Sequence, residues 1–467
     1  MNLGIKYIYI IDSSISKQQM AKESTKSIGK TLKSAGVEFV RVLWCDNANI
    51  IRAKAFHVST LADHWQTGVG ISRAQQAIPV MYDGVAVNAG LGPVGEVWLV
   101  PDWETLGFLP FAPTHAQVMG TMMDQGQPWS LCPRHFLQRM VMAADQLGLQ
   151  IQAAFENEFY LLKTNSGEIL PNDRTVFAAT AAMNQNYSVI DGIVAALFAQ
   201  NIQVERYYPE SGPGQQEISI RYASALTAAD HQIAFREVVR GVAHQQGLVA
   251  SFLPKIFTDQ AGNGCHLHFS LWQDGENITP NPQQQGHLSP IARQFMAGIL
   301  HHLPALMALT TPSVNSYRRL KAHCWSGAFR CWGYDNREAA LRVPSNPQSP
   351  SPTHIELKTM DASANPYIAL GGVIAAGLDG IRRQLEPGEP VAIDPGNFSD
   401  AERQDRGIDY LPDHLGAAIA QFSQNTVLQE AMGAELVQAY LAVRQVEWEA
   451  MKDMNLAEEV HLLLERY

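Results

Sequence analysis

The sequence is poor in several features that would assign it to a common class of protein. Its five cysteines are scattered through 467 residues without a CxxC pair, so we expect a reducing, cytoplasmic location. Acidic residues outnumber basic ones by 45 to 34, which argues against nucleic acid or an anionic membrane as the main partner. No uncharged apolar run reaches the roughly 18 residues of a membrane span, and the short N-terminal run lacks a cleavage site, so we expect neither a membrane helix nor a signal peptide.

The common phosphate-binding loops are also missing. No GxxxxGK[ST] sequence occurs, which excludes a P-loop enzyme. The segment 90–95 fits the pattern GxGxxG, but Pro93 interrupts it and a strand-like EVWLV follows. A dinucleotide-binding loop needs a strand before its glycines and a helix after them, so this match does not indicate a nucleotide site.

The sequence does have the length and apolar content of a globular protein with two or three domains. Hydrophobic residues make up 46% of the chain, an ordinary value for such proteins. We predict a leader and helix over residues 1–30, a first domain over 31–125 and a second domain over 126–467. The stretch 106–132 is rich in proline and glycine and is the expected boundary.

Local patterns predict the elements of both parts. Two β-rich runs around residues 46–49 indicate a hairpin, and a further strand, EVWLVPDW, is expected to end at Pro101. Apolar spacing and capping residues then predict a helix from Pro133 to about Gly148, a strand from Leu149 to Leu162, a strand over 218–222, a helix over 227–246 with Thr227 and Asp230 at capping positions, helices beginning at Ser289-Pro290 and Asn365-Pro366, and a mostly helical C-terminal segment. Alternation along the 149–162 strand places Glu156 and Glu158 on one face.

Five glutamates and one histidine suggest a site for divalent cations. They are Glu156 and Glu158 in FENEFYLL, Glu210 and Glu217 in ESGPGQQE, His266 in NGCHLHFS, and Glu356 in HIELKTMD. Each lies in an apolar or glycine-rich stretch, where a carboxylate is costly unless a positive charge compensates it. Taken alone, a Glu-x-Glu pair fits an exposed strand face about as well, and a His-x-His pair is more often structural. The combination favours a site for magnesium or manganese, which prefer oxygen ligands.

A basic segment supplies the opposite charge. Residues 317–342 read YRRLKAHCWSGAFRCWGYDNREAALR, with Arg318, Arg319, Lys321, Arg330, Arg337 and Arg342 among small and aromatic residues. Arginine binds carboxylate and phosphate groups in a bidentate manner. Carboxylates for metals together with arginines for phosphates predict phosphoryl transfer.

These motifs point to a family. From about Val37 to its C-terminus the chain resembles the glutamine synthetase family, type I-like, through FENEFYLL, YYPESGPGQQEISI, FLPKIFTDQAGNGCHLHFSLW, NSYRRL, NREAALRVP and IELKTMDASANPYIALGGVIAAGLDGI. The resemblance implies an α+β fold, in which an N-terminal β-grasp domain precedes a larger catalytic domain with a curved antiparallel sheet backed by helices. It also implies a homo-oligomer of roughly ten to twelve subunits in two rings, with active sites shared between neighbours.

The resemblance further implies a two-step reaction of small-molecule substrates. ATP phosphorylates the side-chain carboxylate of glutamate or an analogue, and an amine then displaces phosphate from the acyl phosphate. Matched position by position, Glu158, Glu210 and Glu217 would hold one Mg²⁺ or Mn²⁺, and Glu156, His266 and Glu356 would hold another, giving two or more cations per subunit. The other assignments are Arg319, Gly262 and Lys358 to the amino-acid substrate, Arg337 and Arg342 to phosphate, Glu205, His268 and Ser270 to ATP, and Asp46 to the amine in a neighbour's site. Asp46, Arg319 and Arg337 are thereby expected to act in catalysis.

Four positions depart from the family pattern. Trp325 stands where the family carries a flap glutamate that helps to deprotonate ammonium. Lys358 and His354 replace arginines, and Ser351 replaces a lysine. Tryptophan cannot accept a proton, but it can form the wall of an apolar acceptor pocket. We therefore expect an ATP-dependent ligase that joins the glutamate γ-carboxylate to an amine other than ammonium. The alternatives are an ordinary glutamine synthetase, with a base such as Asp46, and a catalytically silent binding or regulatory homologue.

Overall fold

An N-terminal sheet forms the first part of the fold. The computed structural model describes residues 17–165, 168–346, 348–349 and 351–467, without the side chains of 17–24, so the expected leader lies outside the described residues. The elements are α1 (Lys17–Ser34), β1 (Phe39–Cys45), β2 (Ile51–His57), α2 (Leu61–His64), β3 (Val69–Ser72), β4 (Glu96–Phe108), β5 (His115–Asp124) and β6 (Gln127–Pro128), with 3-10 turns at Val58–Thr60 and Arg73–Ala77. The strand order is β2-β1-β5-β4-β3, with β6 beside β5.

The hairpin predicted around residues 46–49 is confirmed. β1 and β2 pair antiparallel over their whole length. Asn49 in the turn has a positive φ of 65°, a conformation that asparagine tolerates better than most residues. The turn residues therefore set the hairpin at the place where the sequence indicated it.

One prediction about the following segment is wrong. β4 continues through Pro101 to Phe108 instead of ending at the proline. β3 pairs with β4 only as far as Leu99, so at Pro101 the strand has a partner on one side only and the missing N–H costs no ladder hydrogen bond. The expected boundary stretch 106–132 also contains β5 and β6 of this sheet, and the domain boundary at residues 125 and 126 stays a prediction.

The second part is a larger sheet with helices packed against it. Its elements are α3 (Pro133–Asp145), β7 (Gln150–Asn165), β8 (Glu168–Pro171), α4 (Thr180–Phe198), β9 (Val204–Pro209), β10 (Gln215–Ile220), β11 (Ala223–Ser224), α5 (Ala225–Gln245), β12 (Val249–Ser251), β13 (Cys265–Gln273), β14 (Glu276–Asn277), α6 (Pro290–Thr310), α7 (Ser316–Arg319), β15 (Phe329–Tyr334), β16 (Ala339–Val343), β17 (Ile355–Leu357), α8 (Pro366–Arg383), α9 (Asp400–Asp405), β18 (Asp409–Tyr410), α10 (Leu415–Ser423), α11 (Thr426–Met432), α12 (Ala434–Met451) and α13 (Leu456–Leu463), with a 3-10 turn at Pro395–Asn397. The principal strand order is β18-β15-β16-β17-β13-β7-β10-β9. β15 and β16 pair parallel, whereas the other pairs of this predominantly antiparallel sheet are antiparallel.

Capping residues set the starts of two central helices. The Ser289 hydroxyl accepts the Ala292 N–H at the start of α6, and the Asn365 side chain accepts the Tyr367 N–H at the start of α8. Both predicted starts are confirmed, each with proline in the first helical position. Among the described residues, no helix combines the length and apolar character that a membrane span would need.

The predicted capping of α5 is wrong. The helix begins at Ala225, two residues before Thr227. Asp230 lies inside the helix, where its buried carboxylate accepts two hydrogen bonds from the Arg134 guanidinium of α3. A tertiary ion pair thus uses the aspartate that the sequence suggested as a local cap. The predicted helix end is close, since α5 ends at Gln245 just before Gly247, whose φ is 71°.

A continuous apolar core joins the helices to the larger sheet. Phe155 and Phe159 of β7 pack in the same cluster as Phe235 of α5. α6 and α8 cross closely at Gly298 and Gly380, where an added Cβ would lie 2.1 Å and 2.2 Å from backbone oxygens of the opposite helix. The predicted fold class is confirmed: an α+β protein in which an N-terminal sheet precedes a larger sheet backed by helices.

Candidate active site

The register of the larger sheet gathers five of the six predicted metal ligands on one face, and the sixth, Glu210, lies in the connection between β9 and β10. Glu158 on β7 lies directly opposite Glu217 on β10. Glu156 on β7 lies opposite His266 on β13. Directly opposite residues of paired strands point to the same side of a sheet, as do residues two apart along one strand. Since His268 on β13 lies opposite Glu356 on β17, the resulting acidic face comprises Glu156, Glu158, Glu217, His266, His268 and Glu356.

Two histidines lie between the acids at one end of the acidic face. His266 Nδ1 is 3.1 Å from Glu156 Oε2 and 3.3 Å from Glu356 Oε1. His268 Nε2 is 3.4 Å from Glu156 Oε2 and 3.9 Å from Glu356 Oε1. Glu156, His268 and Glu356 each offer a ligand atom, and these atoms all lie within 4.8 Å of one another. Both histidines border this cation position, so the choice of His266 as the ligand stays a prediction.

Like charges accumulate at the other end of the acidic face. Burial raises the pKa of Glu158 to about 7, and the charge of Glu210 adds to that effect. Burial also raises the pKa of Glu217 to about 10, with further contributions from Glu156 and Glu158. Carboxylates that repel one another in this way are stable as anions only beside added positive charge. Their chemistry therefore fits a divalent cation held by oxygen ligands.

Positive side chains balance the histidine end. Arg342 Nη1 donates to Glu356 Oε2 at 2.8 Å, and Lys358 Nζ lies 3.4 Å from Glu356 Oε1. Burial alone would raise the pKa of Glu356, but the charges of Lys358 and His268 outweigh it and hold the pKa at about 2. Burial, together with Lys358, lowers the pKa of His266 to about 4. A neutral imidazole keeps the lone pair that a metal needs.

Sequence reasoning missed two groups that orient these carboxylates. The Gln215 side-chain amide donates to Glu158 Oε2 at 3.3 Å and to Gly262 O at 3.1 Å. The Tyr208 hydroxyl donates to Glu217 Oε2 at 2.8 Å. Both residues belong to the YYPESGPGQQE motif, and their proximity to metal ligands in sequence was the available signal. Hydrogen bonds to a ligand side chain from residues that do not themselves bind the metal fix the orientation of that ligand. No regular spacing in the sequence identifies the residues that make them.

The residues predicted to bind the amino-acid substrate lie together. An added Cβ at Gly262 would lie 2.7 Å from Arg319 Cγ and 2.5 Å from Pro254 O. Arg319 Nη2 donates to the carbonyl oxygens of Lys358 at 3.3 Å and Met360 at 3.0 Å. Within the described part of the chain, the buried Arg319 Nε has no hydrogen-bond acceptor, so this guanidinium retains a donor for a ligand.

The predicted acceptor residue Trp325 contacts a predicted phosphate residue. Its side chain is 61% exposed, and the Arg337 guanidinium carbon lies 5.9 Å from the centre of its ring, within cation–π distance. The Trp325 N–H donates to Glu338 Oε1 at 2.7 Å. The predicted acceptor residue and a predicted phosphate-binding arginine therefore lie side by side.

The residues predicted to bind ATP are only partly brought together. His268 and Ser270 share one face of β13 because they are two residues apart. The His354 ring lies 5.2 Å from the His268 ring, and burial lowers the His354 pKa to about 4. Glu205 is exposed on β9, with β10 and β7 between it and β13. A common ATP site that includes Glu205 stays a prediction.

Asp46 is enclosed by its own chain. Its carboxylate accepts the Ile50 N–H at 2.9 Å and forms an ion pair with Arg52. The Asn365 amide donates to Asp46 O at 3.2 Å, which ties the hairpin to α8. Burial raises the pKa of Asp46. Its predicted role at a neighbouring subunit's acceptor site stays a prediction, because the single chain presents a buried, ion-paired carboxylate.

An acidic face with arginines nearby, on a sheet that follows a smaller N-terminal sheet, has the chemistry that enzymes use to transfer phosphoryl groups with divalent cations. The chain belongs to the glutamine synthetase family, whose members are ATP-dependent ligases. Residues 26–129 match the glutamine synthetase N-terminal domain, and residues 130–462 match the glutamine synthetase catalytic domain.

Similar proteins include enzymes with two kinds of name. Type-1 glutamine synthetase 1 of Dictyostelium discoideum is 32% identical over 461 residues, covering 93% of this chain and 91% of that protein. Gamma-glutamylpolyamine synthetase GlnA3 of Streptomyces coelicolor is 34% identical over 429 residues, covering 90% of this chain and 92% of that protein. Among solved structures, a GmaS/ADP complex matches with a TM-score of 0.82 and 28% identity, over 93% of this chain and 98% of that one.

Proposed function

We propose that this enzyme uses ATP to activate the γ-carboxylate of glutamate as an acyl phosphate and then joins it to an amine other than ammonium. The observation that carries the proposal is Trp325 at the flap position of a chain that keeps all six predicted metal ligands. The similarity to a protein named gamma-glutamylpolyamine synthetase supports an organic amine as acceptor. The similarity to proteins named glutamine synthetase supports glutamate as the acid.

The acidic face would hold two divalent cations, Mg²⁺ or Mn²⁺. Glu158, Glu210 and Glu217 would hold one, and Glu156, His266 and Glu356 would hold the other. When bound, such cations offset charge on a phosphoryl group in transfer. Tyr208 and Gln215 keep the carboxylates of Glu217 and Glu158 oriented through the hydrogen bonds described above.

Arginines and a lysine would position the two substrates. Arg319 would bind the α-carboxylate of glutamate through the Nε donor that has no acceptor in the described chain. Gly262 leaves the space beside Arg319 free of a side chain. Arg337 and Arg342 would bind phosphate oxygens, and a phosphate there would compete with Glu356 for Arg342, which now donates to that carboxylate at 2.8 Å.

The acceptor step requires a deprotonated amine. Trp325 cannot take a proton, so the amine must lose its proton to solvent or to another group before it attacks the acyl phosphate carbon. The exposed indole offers an apolar face to an alkyl or aromatic amine, or binds a cationic one through its ring. An ammonium-dependent reaction is the second candidate function, and it is favoured by the raised pKa of buried Asp46, which suits a base. The ion pair of Asp46 with Arg52 argues that Asp46 has a structural role instead.

We also propose a homo-oligomer of roughly ten to twelve subunits in two rings, with small-molecule substrates only. The support is family membership and the position of Asp46 on a hairpin in the N-terminal sheet. Sedimentation of the active enzyme tests this proposal, and a fully active monomer would contradict it. A cytoplasmic location stays a prediction from the unpaired cysteines.

Phosphate release in the presence of ATP, Mg²⁺ and glutamate tests the proposed reaction. We expect release to depend on an added organic amine and to be weak with ammonium, and mass spectrometry should detect the γ-glutamyl amide. Equal rates with ammonium and every organic amine would replace the proposal by ordinary glutamine synthesis. No release with any acceptor would favour a silent homologue.

A further inference from the structure

The flap, residues 321–327, has a strained backbone. His323 and Trp325 have positive φ angles of 61° and 52°, and Gly327 has one of 74°. Glycine adopts this region freely, but bulky residues do so at a cost of roughly 1 kcal/mol or more each. Such conformations persist only where the surrounding structure holds them. The Ser326 hydroxyl closes the flap on itself by accepting the Lys321 N–H at 3.0 Å and donating to Lys321 O at 2.8 Å, and contacts from outside the flap add to the forces that hold Trp325.

Glu338 provides one of these contacts. Its side chain is buried, with 5% exposure, and its Oε1 accepts the Trp325 N–H at 2.7 Å. Burial raises the pKa of Glu338, while the backbone N–H groups of Trp325 and His323 favour its charged form. The carboxylate thus faces the backbone of the two strained residues. A hydrogen bond to a charged group of this kind is stronger than a neutral one.

The neighbours of Glu338 hold the flap at two further points. Arg337 lies over the Trp325 ring at 5.9 Å. The Asn336 side chain donates to Val391 O at 2.8 Å and to Ile393 O at 3.0 Å. The next residue of that loop, Asp394, has its Oδ2 2.7 Å from His323 Nδ1. Residues 336–338 therefore contact both the flap and the loop that holds the flap's His323, and we call this arrangement the clasp.

The underside of the flap rests on the catalytic strands. An added Cβ at Gly327 would lie 3.1 Å from Ala340 Cα and 3.1 Å from Lys358 Cβ. The Thr359 hydroxyl donates to Gly327 O at 2.8 Å. Lys358 in turn lies 3.4 Å from the metal-site carboxylate Glu356. These contacts hold the Gly327 end of the flap beside the histidine end of the acidic face, and none of them involves Glu338.

We infer that Glu338 is a specificity-determining positioning residue, which fixes the flap so that Trp325 forms a rigid wall of the acceptor pocket. Its role in amine selection rests on the proposed function, whereas its role in holding the flap does not. Glu338 acts through the Trp325 backbone and through no contact with the reacting atoms. A pre-positioned wall lowers the ordering cost of binding an amine that fits it. Loss of the Glu338 hydrogen bond to the Trp325 N–H should therefore weaken binding of the amine, and it should leave binding of ATP nearly unchanged because Arg337 is retained.

Two substitutions separate the parts of this inference. Glu338→Ala removes the hydrogen-bond acceptor, while Glu338→Gln keeps an oxygen for the Trp325 N–H and removes the charge. The control is Glu389→Gln, which changes an exposed glutamate of the same region. The first measurement is trypsin cleavage after Lys321, an exposed residue at the start of the flap, followed by mass spectrometry. The second is KM and kcat for the preferred amine and KM for ATP.

We expect Glu338→Ala to raise the cleavage rate after Lys321 and the KM for the amine by about tenfold each, with kcat and the KM for ATP nearly unchanged. Glu338→Gln should restore both values to within about threefold of wild type. Wild-type cleavage and wild-type KM in Glu338→Ala would overturn the inference. A loss of amine activity in Glu338→Gln without faster cleavage would overturn it too, since the charge would then act on the substrate directly. If no organic amine is a substrate, the proposed function fails, and the cleavage rates still decide whether Glu338 holds the flap.

Discussion

The two ends of the candidate active site are built in different ways. The phosphoryl end lies on paired strands, where Glu158 opposite Glu217 and Glu156 opposite His266 are fixed by the hydrogen-bonded register. The acceptor end lies on a loop, where Trp325 is 61% exposed and its position depends on side-chain contacts. A change that shifts a residue on a strand also moves the residues paired with it. A residue on a surface loop has fewer such partners, so its replacement costs the fold little. Trp325 departs from the family pattern on the loop, whereas all six predicted metal ligands are kept, and this contrast follows the division between loop and strands.

Loss of a metal ligand at the phosphoryl end should have the largest effect. Glu158→Gln keeps the shape of a buried side chain and removes its charge. We expect phosphate release to fall by about 10³-fold or more, because a cation that offsets phosphoryl charge contributes several kcal/mol. The control is Glu168→Gln, an exposed glutamate on β8 of the same sheet, which should keep wild-type activity. Near-normal turnover in Glu158→Gln would remove this residue from the site and break the comparison.

A change at the acceptor end should alter selectivity rather than abolish the reaction. Trp325→Glu restores a flap carboxylate, and a general base is worth about 10²–10⁴-fold in rate. We expect the ratio of ammonium to organic-amine activity to rise by about 10²-fold, measured by amide formation with each acceptor. Trp325→Phe is the matched control, since it keeps an aromatic wall and adds no base. An unchanged ratio would mean that the flap does not select the acceptor.

Crowding of the glutamate pocket should have an intermediate effect. Gly262→Ala adds a Cβ that would lie 2.5 Å from Pro254 O and 2.7 Å from Arg319 Cγ. Overpacking of this kind costs about 1–3 kcal/mol, so we expect the KM for glutamate to rise about tenfold while the KM for the amine changes little. Gly92→Ala serves as control because an added Cβ there meets no atom within 4 Å. An equal rise in both KM values would mean that the two ends of the site are not separable.

The smallest effect is a pH dependence that distinguishes the two halves of the acidic face. The pKa values of Glu158, about 7, and Glu217, about 10, are raised above 4.5. Their stabilising contribution in the metal-free protein is therefore full below about pH 4.5 and is lost as the pH rises through these values. Mg²⁺ binds the deprotonated groups, so the increase in Tm that it gives should be larger by a few degrees at about pH 9 than at about pH 6.

A matched pair of variants tests the origin of that dependence. Glu217→Gln should weaken the pH dependence of the Mg²⁺ effect on Tm, because it removes the carboxyl group with the higher pKa. In Glu356→Gln the Mg²⁺ effect on Tm should still increase between about pH 6 and about pH 9. The reason is that Glu356 has a pKa of about 2 and is already ionised throughout this range. A Mg²⁺ effect that is independent of pH in the wild type would contradict the assignment of Glu158 and Glu217 to a cation site.

Local chemistry in the sequence determined much of the fold and the acidic face. Ser289 and Asn365 set helix starts because a cap bonds backbone groups a few residues away. Alternation along β7 placed Glu156 and Glu158 on one side because strand side chains repeat every two residues. The family resemblance then supplied the α+β class and the ligand set. Each of these signals depends on short stretches of chain.

Only the tertiary structure decided which distant groups meet. It showed that β4 continues through Pro101, where the pairing of β4 with β3 has already stopped at Leu99. It brought Arg342 to Glu356, and it placed Glu338 under the Trp325 backbone. These contacts depend on register, strand order and loop path, which result from packing of the whole chain and leave no mark in any short segment of sequence.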